Sequence, residues 1–175
     1  MNNKFYGKKT EYLPIREDRT RTIVSYGQES VSDTHCTWYE VYFSKSENPS
    51  PSIEQIKDAV IADIDERIKE QIIGGMIWNG QSVWLSLENQ SNFSTAEHRA
   101  ATTGDNLPHK EKIGEQEDGT PIYYTFETAA ELTSFWNACQ DHIENCRKAG
   151  WEEKDAIDWE PYKALFPEQS SDVEE

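Results

Sequence analysis

The stretch Gly74–Leu87, GGMIWNGQSVWLSL, decides the fold because it sets a tight turn between two apolar runs. A type I′ turn needs positive φ at both central positions, and Asn79-Gly80 supplies the two residue types that accept it most readily. We therefore predict an antiparallel hairpin with Trp78 beside the turn and Trp84 in or just after the second strand. Whether these tryptophans belong to a core or to a binding surface bears directly on function.

A long amphipathic helix precedes this hairpin. Ser52 is a favourable N-cap, and Gln55 three residues later completes a capping box. Gly74 and Gly75 end the helix, since glycine takes the left-handed C-cap conformation without strain. Apolar residues recur every three or four positions and form one stripe, which consists of Ile53, Ile56, Val60, Ile64, Ile68 and Ile72.

Helices and a second hairpin follow the Asn-Gly turn. Residues 89–102 predict a helix, and Glu117-Asp118-Gly119 predicts the turn of a second hairpin. Thr128 begins a third helix with a capping box, and Gly150 is predicted to end it. A short fourth helix is predicted at 151–159.

The N-terminal part reads as strand. The β-branched run at 20–26 and the aromatic run at 36–43 predict a hairpin, so the fold class is α+β, with small antiparallel hairpins packed against three to four helices. The predicted organisation is an extended N-terminal arm at 1–19, one α+β domain at 20–159 and an acidic C-terminal tail at 160–175. Within the domain, an N-terminal hairpin occupies 20–44 and a helix–hairpin–helix–hairpin–helix unit occupies 52–150.

Composition restricts the class of function. The chain has 175 residues, 35% of them hydrophobic, and a net charge of −16. Such a charge repels phosphate groups, so we expect no direct nucleic-acid binding and no membrane binding. No apolar run has the length of a membrane span or a signal peptide, and three cysteines give no disulfide framework. Both observations favour a protein that is made and assembled in a cytoplasm.

The charge is unevenly distributed along the chain. Residues 1–21 carry a net charge of +3, so the remaining chain carries −19. A basic arm with Lys8 and Lys9 would dock onto the acidic surface of a neighbouring copy, and an ordinary flexible terminus is the alternative.

Possible chemistry concentrates on Cys139, His142 and Cys146, which stand at i, i+3 and i+7 and would meet a metal ion on one helix stripe. The alternative is that both cysteines continue the buried apolar stripe of that helix. Adjacent residues on a strand face opposite ways, so His35 and Cys36 are poorly placed as base and nucleophile. Phosphate-binding and nucleophile-elbow motifs are absent from the sequence. We predict no catalytic residue, cofactor or metal, and a protein that is not an enzyme.

Aromatic residues provide the candidates for a contact surface. Core packing is the default role of a tryptophan in a tight hairpin, whereas an exposed pair would indicate a protein contact, because tryptophan is a frequent interface anchor. The interface candidates are Trp78, Trp84, Trp151, Trp159, Lys8 and Lys9.

Two segments carry a family resemblance: ERIKEQIIGGMIWNGQSVWLS at 66–86 and ENQSNFSTAEHRAA at 88–101. Together with the order of elements from Ile56 to about Gly150, they resemble a domain family of unknown function in tail or tail-fibre proteins of tailed phages and prophages. The resemblance implies a structural component of the virion, in the tail, collar or ring, or tail-fibre attachment region. It implies no catalytic residues.

Expected partners are copies of the chain itself, as a homo-oligomer or ring, and other virion proteins. The expected location is the virion, assembled in the host bacterial cytoplasm. One alternative is a tail-fibre assembly chaperone that is absent from the virion, and another is a metal- or thiol-dependent enzyme.

Overall fold

The computed structural model describes residues 4–104 and 106–163. It confirms the α+β class, with antiparallel strands and four α-helices in this described part. The strands are β1 (Lys4–Lys8), β2 (Ile15–Glu17), β3 (Arg21–Ser30), β4 (His35–Ser44), β5 (Met76–Trp78), β6 (Gln81–Val83), β7 (His109–Glu115) and β8 (Pro121–Phe126). The helices are α1 (Ile53–Gly74), α2 (Leu87–Thr103), α3 (Ala129–Asp155) and α4 (Glu160–Lys163), and a 3₁₀ turn spans Lys9–Glu11.

The chain divides into two compact units, whereas the sequence predicted one domain at 20–159. Unit 1 comprises Met1–Asp65 and Glu152–Glu175, and unit 2 comprises Glu66–Trp151. Both boundaries fall inside helices, one in α1 and the other in α3. A continuous helix gives no Pro, Gly or polar linker at these points, which explains why the sequence did not indicate them.

Unit 1 contains a four-stranded antiparallel sheet in the order β1-β4-β3-β2. The predicted hairpin of β3 and β4 is present, and β3 extends to Ser30 past a bulge near Gly27, whose φ is +64°. The prediction of an arm at 1–19 needs correction. Lys4–Lys8 pairs with β4, and Ile15–Glu17 pairs with β3, so both segments belong to the sheet. Residues 1–3 lie outside the described part.

A buried carboxylate organises one face of this sheet. Glu40 is fully buried, and Arg16 donates to both of its oxygens, at 2.7 and 3.1 Å. Trp38 Nε1 and the Tyr42 hydroxyl donate to the same carboxylate, at 2.8 and 3.0 Å. Burial by itself raises the pKa of Glu40, but these hydrogen bonds outweigh it and hold the pKa below its ordinary value.

Helix α1 begins at the predicted capping box and ends at Gly74 as predicted, but neither Gly74 nor Gly75 has the positive φ of the predicted left-handed C-cap. Gln55 N–H donates to Ser52 Oγ, and Ser52 N–H donates to the Gln55 side chain, which completes the capping box. In unit 1 the helix is fixed to the sheet by a hydrogen bond from the Tyr26 hydroxyl to Asp63.

Unit 2 is built around an apolar core to which both predicted hairpins and helices α2 and α3 contribute. Phe135 lies among three other aromatic rings, with ring centroids 5.0 Å from Phe126, 5.1 Å from Phe93 and 5.4 Å from Trp78. The core consists of Met76, Val83, Leu85, Phe93, Ala96, Ala100, Ile113, Phe126, Leu132, Phe135, Cys139 and Ile143.

The predicted end of α3 at Gly150 is wrong. The helix continues to Asp155, and Gly150 is buried inside it. A Cβ at this position would lie 2.8 Å from Ile68 Cγ1, so the glycine allows close packing against α1 and does not cap the helix. The short helix predicted at 151–159 is consequently also wrong, because its first half belongs to α3.

The predicted acidic tail at 160–175 begins with a structured segment. Tyr162 of α4 is buried, and its hydroxyl donates to the backbone oxygen of Ser25 at 2.6 Å within unit 1. Residues 164–175 lie outside the described part.

Candidate protein-interaction surface

The two strands of the Asn-Gly hairpin separate an inner from an outer face in unit 2. Asn79 and Gly80 have φ of 46° and 78°, as a type I′ turn requires. Met76 pairs with Val83 and both are buried in the core, whereas Ile77 pairs with Ser82 on the opposite face. Ile77 is 62% exposed.

Trp78 lies on the inner face and has the role of a core residue. It pairs with Gln81, its side chain packs against the core, and its ring meets Phe135 edge to face. Trp78 is half-buried in this position, so it offers a partner less surface than an exposed ring, and its role as an interface candidate stays a prediction.

Trp84 faces outward and remains 52% exposed. A two-residue turn fixes the register: Trp78 opposes Gln81, so Gln81 and Val83 point inward, and Ser82 and Trp84 point outward. The turn length fixes only that Trp78 and Trp84 lie on opposite faces, and the sequence prediction left the face of each tryptophan open. The Asn89 side chain donates to the Trp84 backbone oxygen at 2.8 Å and joins the segment to α2.

The second hairpin extends the exposed surface. Lys112 pairs with Tyr123, and Tyr123 is exposed while its neighbours Ile122 and Tyr124 pack against the core. The Lys110 ammonium lies 4.6 Å from the Tyr123 ring centroid, a cation–π distance. We define the outer face as Ile77, Ser82, Trp84, Lys112 and Tyr123, together with the exposed Leu87, whose chain neighbours Ser86 and Glu88 line the cleft beside Trp84.

The two hairpins meet along β6 and β7. Trp84 N–H donates to the Ile113 oxygen at 2.7 Å, and Gly114 lies so close to β6 that a Cβ there would stand 2.4 Å from the Ser82 oxygen. Two clefts of about 580 and 750 Å³ adjoin this junction and share Ser82, Glu115 and Gln116. The outer face is therefore indented, with Trp84 at one cleft and Tyr123 at the other.

A chain of hydrogen bonds fixes the Asn-Gly turn to α3. The Asn79 amide donates to the Tyr124 hydroxyl at 3.0 Å, and that hydroxyl donates to Glu131 at 2.7 Å. Glu131 N–H in turn donates to Thr128 Oγ1, which is the predicted N-cap. The bond to Glu131 raises the pKa of the Tyr124 phenol. Sequence reasoning assigned Asn79 to the turn alone and missed this bracing role.

Charges of both signs border the clefts. Lys112 donates to Glu115, and this hydrogen bond raises the pKa of the lysine. Glu88 also lines the cleft beside Trp84. An exposed apolar surface bordered by mixed charges has the composition of a protein-interaction site.

The remaining interface candidates lie on other elements. Trp151 of unit 2 is exposed on α3, and its role in an interface stays a prediction. In unit 1, Trp159 is half-buried, with its ring 5.7 Å from that of Tyr162 and the Lys57 ammonium 5.8 Å above it. Lys8 is exposed at the end of β1, and Lys9 is half-buried in the 3₁₀ turn.

The predicted metal alternative finds no geometric support. No group of three or more His, Cys, Asp or Glu side chains in residues 4–104 and 106–163 is arranged to hold a metal ion. His142 bonds to the Gln71 oxygen at 3.0 Å, and burial raises the pKa of Cys139 to about 12 and also raises that of Cys146. Such thiols stay protonated near neutral pH, and the thiolate is the nucleophilic and metal-binding form. Cys36 is buried in the sheet of unit 1.

Comparison with known proteins yields no matching family model, no matching curated protein and no matching solved structure. The resemblance to the tail-associated domain family therefore stays a prediction. None of the helices in the described part is both long enough and apolar enough to cross a bilayer.

Proposed function

We propose that this protein acts by binding other proteins as a structural subunit of an assembly that contains several of its own copies. The observation that supports the proposal most is the outer face of unit 2, where large apolar side chains stand exposed beside two clefts. Leu87 at 84% and Trp84 at 52% exposure are unfavourable in water unless a partner covers them.

The charge pattern of the outer face suits contact with a second copy. Lys110 and Lys112 provide positive charge there, and Glu88 and Glu115 provide negative charge. A two-fold contact places the same surface against itself, so a face with both signs can pair each lysine with a carboxylate of the other copy.

The sequence resemblance gives the assembly a more specific identity. We propose a bacteriophage virion, in the tail, collar or ring, or tail-fibre attachment region, with other virion proteins as further neighbours. A tail-fibre assembly chaperone is the alternative, and it also needs an exposed apolar surface that binds other proteins. Neither role needs a catalytic centre.

Mass spectrometry of purified virus particles tests this assignment. Particles are prepared from the cells whose genome encodes the chain and are washed at high salt to remove loosely bound protein. A structural subunit remains at a stoichiometry comparable to that of the other tail proteins. If the purified particles lack the protein but cells without the protein fail to assemble particles, the result supports the chaperone. If cells without the protein still make normal particles, both roles are contradicted.

A further inference from the structure

A second, smaller pocket in unit 2 lies between α2 and the start of β7, away from the clefts of the outer face. Its volume is about 240 Å³. Asn92, Thr95 and Arg99 line one wall, at i, i+3 and i+7 on one side of α2. Asn106, His109 and Glu111 line the other wall.

Hydrogen bonds hold the second wall in place. His109 Nε2 lies 3.0 Å from Glu111 Oε2, and His109 Nδ1 lies 2.7 Å from Asn106 Nδ2. Since an amide nitrogen only donates, Nδ1 accepts and the Nε2 proton is donated to Glu111. Asn106 has φ of 77°, a left-handed conformation that is uncommon outside glycine and that points to a local requirement for this side chain.

Arg99 provides the charge of the first wall. It is exposed, and no carboxylate of the described residues forms an ion pair with its guanidinium. Thr95 directs its hydroxyl hydrogen to the Ser91 oxygen at 2.8 Å, so it offers only lone pairs to the pocket. Among the described residues that line the pocket, the side-chain donors open to a ligand are the guanidinium of Arg99, the amide of Asn92 and the second N–H of the Asn106 amide.

We propose that this pocket binds a small carboxylate-bearing ligand through Arg99. The planar guanidinium matches a carboxylate with two parallel hydrogen bonds, and Asn92 adds a third donor. A single negative charge suits the site better than the double charge of a phosphate, because Glu111 and the overall charge of −16 oppose anions. The volume corresponds to about eight water molecules at liquid density, so it admits a small organic acid.

The proposal is tested by titrating the isotope-labelled protein with sodium acetate and, separately, with inorganic phosphate at constant ionic strength. We expect acetate to give saturable shifts of the Arg99 and Asn92 side-chain resonances, with a dissociation constant on the order of 1–10 mM. The variant Arg99→Gln should weaken acetate binding at least about tenfold. The affinity of Arg99→Lys should lie between those of the wild type and Arg99→Gln, because lysine keeps the positive charge but cannot donate two parallel hydrogen bonds.

The matched control is Arg147→Gln, which removes an exposed arginine from α3 and should leave acetate binding unchanged. Equal acetate shifts in Arg99→Gln, no saturable response to acetate, or saturation by phosphate without acetate binding would each overturn the proposal. Because the readout is ligand binding to the isolated chain, it does not depend on the proposed role in assembly.

Discussion

The interiors of the two units differ in one respect, which is the buried carboxylate network of unit 1. Unit 2 buries aromatic and aliphatic side chains around Phe135, and it also buries Arg67 of α1. Unit 1 buries the carboxylate of Glu40 in its sheet and surrounds it with three donors. Both units bury apolar side chains and expose others, and unit 1 has its own apolar core that includes Val24, Tyr26 and Ile56. The difference is that the sheet of unit 1 also buries a carboxylate, which is stabilised only while its donors remain in place.

The largest effect is expected from the apolar core. Phe135→Ala removes the ring that contacts three other aromatics, so the free energy of unfolding should fall by about 4 kcal/mol. Chemical denaturation followed by tryptophan fluorescence measures this change. Tyr123→Ala, on the exposed face, is the control and should change stability by less than about 1 kcal/mol. Similar losses in the two variants would contradict the division into inner and outer faces.

A smaller effect is expected in unit 1. Glu40→Gln leaves Arg16 without its buried carboxylate, and the free energy of unfolding should fall by about 2 kcal/mol. The loss is limited because Arg16 is 36% exposed, so water partly replaces the lost partner. Glu29→Gln is the control, since it removes a partially exposed pair with Lys4 and weakens only a long, exposed hydrogen bond from Thr37. If both variants were equally stable at neutral pH, the network would not hold the sheet.

The same network predicts a pH dependence with a definite sign. The folded pKa of Glu40 lies below its ordinary value of 4.5, so the unfolded chain takes up the proton first as the pH falls. The stabilisation is complete above about pH 4.5 and is lost as the pH falls through the folded pKa. Denaturation curves of the wild type and Glu40→Gln should therefore converge in acid. A stability difference that stays constant down to the acid transition would contradict this assignment.

The smallest effect on stability is expected on the outer face. Trp84→Ser exchanges a half-exposed ring for a polar side chain, and the free energy of unfolding of the isolated chain should change by at most about 0.5 kcal/mol. Trp78→Ser, six residues earlier on the inner face, should lower it by about 3 kcal/mol. Equal effects of the two substitutions would remove the contrast between the faces.

Sequence reasoning succeeded where the deciding contacts are local. The Asn79-Gly80 turn and the Ser52 capping box depend on neighbours within three residues, and both are present. The sequence prediction did not assign Trp84 to the core or to the surface; the two-residue turn fixes only that Trp78 and Trp84 lie on opposite faces, and packing against α2 and α3 decides which face is buried.

The errors concern contacts between distant parts of the chain. The predicted arm contains two strands, Lys4–Lys8 and Ile15–Glu17, because the first pairs with β4 some thirty residues later, and no local signal marks that pairing. In the sequence, Gly150 has the appearance of a helix C-terminus, whereas in the fold it lies inside α3, where Ile68 leaves no room for a Cβ. The partnership of Arg16 with Glu40, and the pocket that combines Arg99 with His109, likewise appear only once the chain is folded.

Sedimentation velocity over a range of protein concentrations tests the central claim, that the outer face of unit 2 joins copies of this chain. Wild-type protein should form a defined oligomer, and the double variant Trp84→Ser with Leu87→Ser should sediment as a folded monomer under the same conditions. The exposed tryptophan elsewhere in unit 2 supplies the control, since Trp151→Ser should keep the oligomer intact. A wild-type protein that stays monomeric at every concentration, or a double variant that associates as the wild type does, would contradict the account.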